Sequence, residues 1–376
     1  MSALELEFPN PSADKPQWLT LAENTFNSMV PRWDMGTCNG GLRWQVYAAN
    51  KGWDYKNSIS NGGFFQLAAR LARYTGNQTY ADWAEKIWDW SAGVGLIGSN
   101  FEIYDGSDST INCTGINHIE WSYNNAIYIL GAASLANATK SQTWIDRTNG
   151  LLGAASRFFS PFDNSTNVMF EPACETVHTC NVDQFSFKAY LSRWLAKTAI
   201  VFPSSKDTIT TWLTASAQAA VNSCVDNGKG SVDCGSRWYT GGYDGVTGLG
   251  QQLAAFETVI SLLAVQGGAP VVKAQADAAA AAAAPASRSS TSVLPSAIPS
   301  PASASAPAPS VSAADKSSAP APVVTTSTSA TASAAPVSAA DMQTVSSVTS
   351  VAAATPVVKS PLESAAKVLL PWMKIG

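Results

Sequence analysis

The chain has 376 residues, with 23 Lys and Arg against 27 Asp and Glu, and its formal net charge at pH 7 is −4. Six of the basic and four of the acidic residues follow Gly267, so the first 267 residues carry a net charge of −6. This acidic balance argues against a nucleic-acid-binding protein, because phosphate backbones require a basic surface.

The composition changes near Gly268. Residues 1–267 hold all six Cys, both His and twelve of the thirteen Trp, whereas residues 268–376 are mostly Ala, Ser, Thr, Pro and Val. A segment so poor in aromatic and large aliphatic side chains cannot bury enough surface to offset its ordering entropy. We therefore predict a domain over 1–267 and a disordered stalk over 268–376. The Ser/Thr/Pro/Ala composition suits an O-glycosylated stalk, with a plain flexible tail as the alternative.

Hydrophobic spacing predicts helices through most of the first 267 residues. A helix from Pro16 to about Val30 is followed by a loop over 31–60, with a possible short hairpin at Leu42–Ala49. Ser60-Asn61-Gly62 is predicted to cap a helix that runs through Tyr74 and ends at Gly76. Further helices are predicted at Thr79–Val94 and near 120–137, 142–159, 183–201, 206–223 and 247–266. The long loops between helix pairs are 95–119, 160–182 and 224–246.

The helices follow an internal repeat of about 60 residues. Gln78-Thr79-Tyr80 returns 64 residues later as Gln142-Thr143-Trp144. Each unit consists of two helices and a long polar loop, which predicts an all-α fold, a partial (α/α)6 toroid of helix hairpins. A complete toroid has six helix pairs, and about eight and a half helices are predicted here. We therefore expect the N-terminal part of the first helix, and three or four helices more, to precede Met1.

The six cysteines allow free thiols, a metal site or disulfides. Two His and no CxxC motif argue against zinc. Short spacings favour two local bridges and leave one long one, which is one of fifteen possible connectivities. The predicted pairs are Cys174–Cys180, Cys224–Cys234 and Cys38–Cys113.

Glycosylation sequons also point to secretion. They occur at Asn77, Asn112, Asn137 and Asn164. The first residues form no signal peptide, and the apolar stretch near the C-terminus is too short for a lipid-anchor signal. We expect an extracellular domain, attached to a membrane only if the full-length protein carries a lipid anchor.

Four motifs at equivalent places in the repeat open helices and combine Asn, Asp, Gln, Tyr and Gly. They are Ser58–Gly62, Trp121–Asn125, Asn181–Gln184 and Gly241–Gly245. Helix capping explains such residues singly, but aromatic rings also stack on sugars, and carboxylates and amides bind hydroxyl groups. A ring of these motifs would form a saccharide groove. The predicted substrate-binding residues are Trp44, Asn61, Trp121, Tyr123, Asn124, Asp183, Gln184, Tyr243 and Asp244.

Several residues allow two interpretations. Asp183 and Asp244 either bind sugar hydroxyls or cap helices, and Trp44 is either a stacking platform or a core residue. Asp105 and Asp108 either border the groove or are solvated loop acids. Structural roles are favoured for the remaining candidates, which are Glu171, Glu175, His118, His178, Trp83, Trp88 and Trp90.

Six longer motifs resemble the fungal family 76 glycoside hydrolases, cell-wall proteins of the endo-α-1,6-mannanase-like "defective in filamentous growth" type. They are Arg32–Asp34, Cys38–Gln45, Lys56–Gly62, Phe64–Arg70, Trp121–Asn125 and Gly241–Gly245. The resemblance covers about residues 1–265. It implies an (α/α)6 fold, mannan or glycolipid-anchor glycans as substrate, no cofactor and a retaining mechanism. From the residues themselves we predict no metal site.

The family resemblance also implies a catalytic pair of adjacent aspartates at the start of an inner helix. One carboxylate would attack the anomeric carbon and the other would act as acid and base. No two consecutive aspartates occur in this chain. We therefore assign no catalytic residue here, expect the pair upstream of Met1 and predict that the 376-residue chain is inactive. The alternative is a non-catalytic glycan-binding or wall-structural protein. The sequence does not decide between hydrolysis and transglycosylation as the reaction of the intact family.

Overall fold

The computed structural model describes residues 1–268 and 270–283. Helices dominate these residues, and the strands are short. The helices are α1 (Ser2–Glu5), α2 (Trp18–Met29), α3 (Ser58–Thr75), α4 (Gln78–Gly93), α5 (Ser122–Thr139), α6 (Gln142–Ala155), α7 (Phe187–Val201), α8 (Lys206–Asn222), α9 (Leu249–Ala264) and α10 (Lys273–Ala283). The strands are β1 (Tyr55–Asn57), β2 (Tyr104–Asp108), β3 (Ile116–Glu120), β4 (Cys224–Asp226) and β5 (Val232–Cys234).

The helices form two layers. Helices α3, α5, α7 and α9 pack side by side as an inner layer, and α4, α6 and α8 each cover the inner helix that precedes them. Inner helix α5 is buried almost continuously from Ser122 to Ala136, because its residues are apolar, small or amide-bearing on every face. The arrangement confirms the predicted all-α, partial toroid of helix hairpins.

Helix boundaries follow capping chemistry closely. The Asn57 side chain accepts a hydrogen bond from the Ser60 backbone nitrogen at 3.2 Å, so α3 begins at Ser58. The prediction that Ser60 and Asn61 cap this helix is therefore wrong by about one turn. Gly76 has φ = 72° and ends α3 as predicted, since glycine adopts this left-handed conformation without steric cost.

The loops contain more regular structure than the sequence predicts. Within 95–119, β2 and β3 join β1 in an antiparallel sheet of order β1-β2-β3. The hairpin predicted at Leu42–Ala49 does not form. Arg43 instead bridges Lys56, beside β1. Lys56 is buried and donates to the carbonyl oxygens of Thr37 and Gly40, which draws this loop onto the sheet.

All three predicted disulfides are present, Cys38–Cys113, Cys174–Cys180 and Cys224–Cys234. The first joins the loop before β1 to the loop between β2 and β3, so it fastens the sheet from both sides. The last spans directly opposed residues of β4 and β5. Trp88 and Trp90 are buried in the core, as predicted for the outer helix α4.

The predicted start of the disordered stalk differs from the structure. Residues 270–283 form an extended segment and α10, and the Val271 backbone nitrogen donates to the Glu5 carbonyl at 2.9 Å. The Arg73 guanidinium also donates to the Pro270 carbonyl. These contacts and the high helix propensity of alanine explain the extension. The rest of the predicted stalk, from residue 284, lies outside the described residues. Within the described residues, no helix has the length and apolarity needed to span a membrane.

Candidate functional site

The three-stranded sheet lies at the N-terminal ends of two inner helices. Helix α3 starts directly after β1, and α5 starts one residue after β3. Strands β1 and β3 both pair antiparallel with β2 and therefore run parallel to each other. The sheet consequently places side chains from β1 and β2 beside the first turn of α5.

Asp105 is the central acid of this region. Its Oδ2 atom accepts a hydrogen bond from the Tyr55 hydroxyl at 2.7 Å and one from Asn117 Nδ2 at 3.3 Å. The Tyr55 ring lies over Gly106, where a Cβ atom would come within 2.6 Å of the ring. Glycine at 106 thus permits the phenol to reach Asp105 across the sheet.

Burial governs the electrostatics of this cluster. Partial burial raises the pKa of Asp105, although the hydrogen bonds from Tyr55 and Asn117 and the nearby amide of Asn124 favour its charged form. Burial and the neighbouring Asp105 raise the pKa of the Tyr55 phenol. Tyr55 therefore keeps its proton at neutral pH and acts as a donor to the carboxylate.

Asn124, in the first turn of α5, is fully buried beside Asp105. Neither its amide oxygen nor its amide nitrogen has a partner in hydrogen-bond geometry among the described residues. Buried amides without partners are rare and costly. The amide oxygen therefore keeps an unused acceptor, and the amide nitrogen is a donor that lies beside Asp105.

Aromatic rings form a wall next to Asn124. Tyr123 stacks on Phe187 of α7, with centroids 3.9 Å apart and planes 7° apart, and Trp121 meets Phe187 edge-on at 5.5 Å. Burial raises the pKa of Tyr123. The wall joins the starts of α5 and α7, and its rings offer apolar surface with a hydroxyl at the edge.

Trp44 lies on the loop that runs beside β1. Its backbone nitrogen donates to the Tyr55 carbonyl at 2.7 Å, so it extends the sheet beside Tyr55. One side of the indole lies against Gly52, where a Cβ atom would come within 2.4 Å, and 49% of the residue is exposed. The core interpretation of Trp44 is therefore wrong, and its ring is an accessible surface.

Two predicted substrate-binding residues have structural roles instead. Asn61 is completely buried, and its amide bonds the backbone of Leu42 and the Asn57 carbonyl. The Asp244 carboxylate accepts from the backbone nitrogens of Ser236, Arg237 and Val246 and from Arg237 Nε. These bonds occupy the acceptor sites of Asp244 and lower its pKa, so it organises the loop before α9.

The motif before α7 also consists of capping contacts. Asn181 Oδ1 accepts from the backbone nitrogens of Asp183 and Gln184, both at 3.0 Å, and Gln184 Oε1 accepts from the Asn181 nitrogen at 2.9 Å. Asp183 and Tyr243 are exposed, and Asp183 lies close enough to Tyr123 for its charge to raise the pKa of that phenol, as the charge of Asp105 does. The structure therefore places Tyr123, Asn124 and Asp183 in the region of Asp105, whereas Gln184 and Asp244 bond within their own loops.

Glu171 and Glu175 anchor the loop that carries Cys174, as their structural interpretation predicts. Glu171 is fully buried and accepts from the backbone nitrogen and hydroxyl of Ser122, at the start of α5. Burial raises the pKa of Glu171 to about 8. Glu175 is also buried and pairs with Lys188 Nζ of α7 at 2.7 Å.

Two residues of the Asp105 cluster are absent from the sequence predictions, Tyr55 and Asn117. Neither belongs to a helix-opening motif, and their bonds to Asp105 span 50 and 12 residues. The sequence gives only a weak signal that these two residues belong to a site. Tyr55 directly precedes the motif Lys56–Gly62, and Asn117 lies in a predicted loop with many polar residues.

The sequons differ in accessibility. Asn77 and Asn164 are exposed. Asn112 is exposed, and its side-chain oxygen accepts from the Cys38 nitrogen at 2.5 Å. Asn137 is partly buried, and its Nδ2 atom, the site of glycan attachment, donates to the Val201 carbonyl at 2.9 Å. This contact disfavours glycosylation of Asn137.

Comparison with known proteins gives relatives along most of the described chain. Over 274 residues the chain is 47% identical to mannan endo-1,6-alpha-mannosidase DCW1 of Eremothecium gossypii, covering 72% of this chain and 59% of the relative. The chain thus spans about three fifths of the length of that relative. The crystal structure of Dfg5 from Chaetomium thermophilum in complex with glucosamine matches with a TM-score of 0.68 and 42% identity, covering 72% of this chain and 67% of that one.

A more distant solved structure shares the fold. It is an inactive variant of the alpha-1,6-mannanase GH76A of Salegentibacter sp., with two consecutive aspartates replaced by asparagine, in complex with alpha-1,6-mannotriose. The TM-score is 0.53 at 19% identity, with 67% of this chain and 71% of that chain covered. Residues 1–275 match the sequence profile of glycosyl hydrolase family 76. Together with the relatives at more than 40% identity, this match shows that the chain belongs to glycosyl hydrolase family 76.

Proposed function

We propose that this chain forms the glycan-binding part of a mannan endo-1,6-α-mannosidase-type site that acts on α-1,6-mannan or related mannose-containing glycans. The observation that carries the proposal is the Asp105 cluster. A carboxylate oriented by Tyr55 and Asn117 lies beside the buried amide of Asn124, which has no hydrogen-bond partner among the described residues.

The cluster has the chemistry that a sugar requires. Adjacent hydroxyl groups of a mannose unit can donate to Asp105 and exchange hydrogen bonds with Asn124, and hydrogen bonds to a charged group are the stronger ones. The rings of Tyr123 and Trp44 provide surface for the apolar faces of sugar units. A site of this kind combines apolar walls with a few well-placed polar groups.

Cleavage requires residues that this sequence lacks. The retaining mechanism implied by the family uses two carboxyl groups about 5–5.5 Å apart. Asp105 is hydrogen-bonded to a phenol and an amide rather than paired with a second carboxyl group, and no two consecutive aspartates occur in the 376 residues. We therefore propose that this chain binds glycan without hydrolysing it. The complete site would hydrolyse mannan where water is the acceptor, and would transfer it where another acceptor competes with water.

The setting proposed for this activity is the fungal cell wall or the outer face of the plasma membrane. The three disulfides support an oxidising, extracellular environment. Glycosylation at exposed sequons such as Asn77 and Asn164 is part of the same proposal. Attachment to a membrane would require a lipid anchor.

Titration calorimetry with α-1,6-mannotriose tests the proposal. Wild-type chain is expected to bind, and Asp105→Ala is expected to weaken binding by about 10- to 100-fold, because a hydrogen bond to a charged group contributes about 1.5–3 kcal/mol. Asp108→Ala is the matched control, since Asp108 lies on the same strand but is exposed and accepts only from Thr110. Equal affinities for wild type and Asp105→Ala would refute the assignment. Release of reducing ends from mannan would refute the absence of catalysis.

A further inference from the structure

A second pocket lies between the loop closed by Cys174–Cys180 and the loop before α9. Its volume is about 100 Å³. Its lining residues are Glu175, His178, Cys180, Phe185, Ser236, Arg237, Asp244 and Val246. The Asp105 cluster lies at the sheet and the start of α5, so none of these residues belongs to it.

Glu175 supplies a buried acceptor in this lining. The residue is 3% exposed, and its Oε1 atom pairs with Lys188 Nζ at 2.7 Å. Lys188 lies 3.9 Å from the centroid of the Trp238 ring and donates to the Ser236 carbonyl, which holds the ammonium in place. Glu175 Oε2 is buried without a hydrogen-bond partner among the described residues. One oxygen of the carboxylate is thus fixed and the other is available.

Arg237 supplies donors on the same pocket. Its Nε atom donates to Asp244 at 3.0 Å, and its Nη1 atom lies 3.1 Å and 2.5 Å from the two ring nitrogens of His178. Its Nη2 atom makes no hydrogen bond within the part of the chain that the structure describes. The guanidinium is therefore held on two sides and keeps donors for a ligand.

The balance of groups selects a neutral, hydroxyl-bearing ligand. Glu175 is paired with Lys188 and Asp244 with Arg237, so the charges at the pocket balance and favour neither an anion nor a cation. No group of His, Cys, Asp and Glu with the geometry of a metal site occurs among the described residues. Phe185 and Val246 add apolar lining, which suits the carbon face of a sugar. An apolar cavity of about 150 Å³ holds benzene, so this smaller open pocket holds an edge of one ring.

We propose that this pocket is a further sugar subsite that takes the edge of one hexose unit. Glu175 Oε2 accepts from one hydroxyl group, and Arg237 Nη2 donates to a neighbouring one. Because the pocket lies at the same end of the inner helices as the Asp105 cluster, we assign to it a mannose unit of the same class of glycan. This inference rests on the proposed function.

Filling the pocket tests the inference. Val246→Trp places an indole at a partly exposed lining position, so the fold is expected to survive, as checked by far-UV circular dichroism. The matched control is Val177→Trp, because Val177 is 63% exposed on the Cys174–Cys180 loop and does not line the pocket. The probes are methyl α-D-mannopyranoside and α-1,6-mannotriose, with the full 376-residue chain.

The expected result is that Val246→Trp weakens binding of at least one probe fivefold or more, whereas Val177→Trp binds as wild type does. A crystal soaked with methyl α-D-mannopyranoside is expected to show the sugar against Glu175 and Arg237. Wild-type affinity in Val246→Trp for both probes would overturn the inference and leave the proposed function intact if Asp105→Ala still weakens binding. Failure of wild type to bind either probe would overturn both.

Discussion

Substitution of Gly62 tests how closely the inner helices pack. Gly62 lies in α3 and faces α5, where an added Cβ atom would lie 2.5 Å from Ile127 Cγ2 and 2.8 Å from Tyr128 Cε2. The next residue, Gly63, is in the same helix, but its added Cβ atom would lie 3.7 Å from Ile127 Cδ1, an ordinary contact. The two Gly→Ala substitutions therefore have the same chemistry and differ in the space available.

The magnitudes follow from two opposing effects. Alanine is favoured over glycine inside a helix by about 1 kcal/mol, and this gain applies to both positions. Overpacking of a closely packed interior costs about 1–3 kcal/mol, and this cost applies only to Gly62. We expect Gly63→Ala to raise the free energy of unfolding by about 0.5–1 kcal/mol and Gly62→Ala to lower it by up to about 2 kcal/mol.

Urea unfolding with the disulfides intact, followed by far-UV circular dichroism, measures the difference. The midpoint should move to higher urea for Gly63→Ala and to lower urea for Gly62→Ala, with an unchanged slope. Equal stability of Gly62→Ala and Gly63→Ala would contradict the close approach of α3 and α5 at Gly62.

Three further predictions concern buried charges and glycosylation. Lys188→Met should lower the free energy of unfolding by about 3–5 kcal/mol, since it leaves the buried Glu175 unpaired, and Lys188→Met with Glu175→Leu should recover much of that loss in urea unfolding. The pKa of Glu171 is raised from 4.5 to about 8 in the folded chain. Between these two values the folded chain therefore keeps a proton on Glu171 that the unfolded chain releases. Stability should therefore fall as pH rises through this window, by up to about 1.4 kcal/mol per pH unit, and Glu171→Gln should reduce the slope; an unchanged slope would contradict the assignment. In secreted protein, glycopeptide mass spectrometry should find glycan on Asn77 and Asn164 but not on Asn137, whose Nδ2 atom bonds the Val201 carbonyl, and high occupancy at Asn137 would contradict this contact.

The helical part of the fold is predictable from local patterns. Apolar spacing places α2 and α4 to α9 within a few residues, because the periodicity that defines a helix lies within the helix itself. Helix ends depend on single side chains, which is why Gly76 is located correctly and the start of α3 is not. The short disulfide spacings similarly favour local pairs, and the long pair Cys38–Cys113 follows once the local ones are assigned.

The site is less predictable because capping and ligand binding use the same residue types. Asn61 and Asp244 have the composition expected of sugar-binding residues, but the backbone uses their polar atoms. Asn124 has the same composition and is left without a partner among the described residues. Only the surroundings of each side chain separate these cases.

The sequence by itself determines the helix hairpins, the repeat, the acidic charge and the family, because these depend on residue order and type. Tertiary structure alone decides which polar residues form the site. The hydrogen bond between Tyr55 and Asp105 joins residues 50 positions apart, and the ion pair between Glu175 and Lys188 joins a disulfide loop to a helix. Contacts of this kind depend on how the three-stranded sheet packs against the inner helices, and no local pattern of residues encodes that packing.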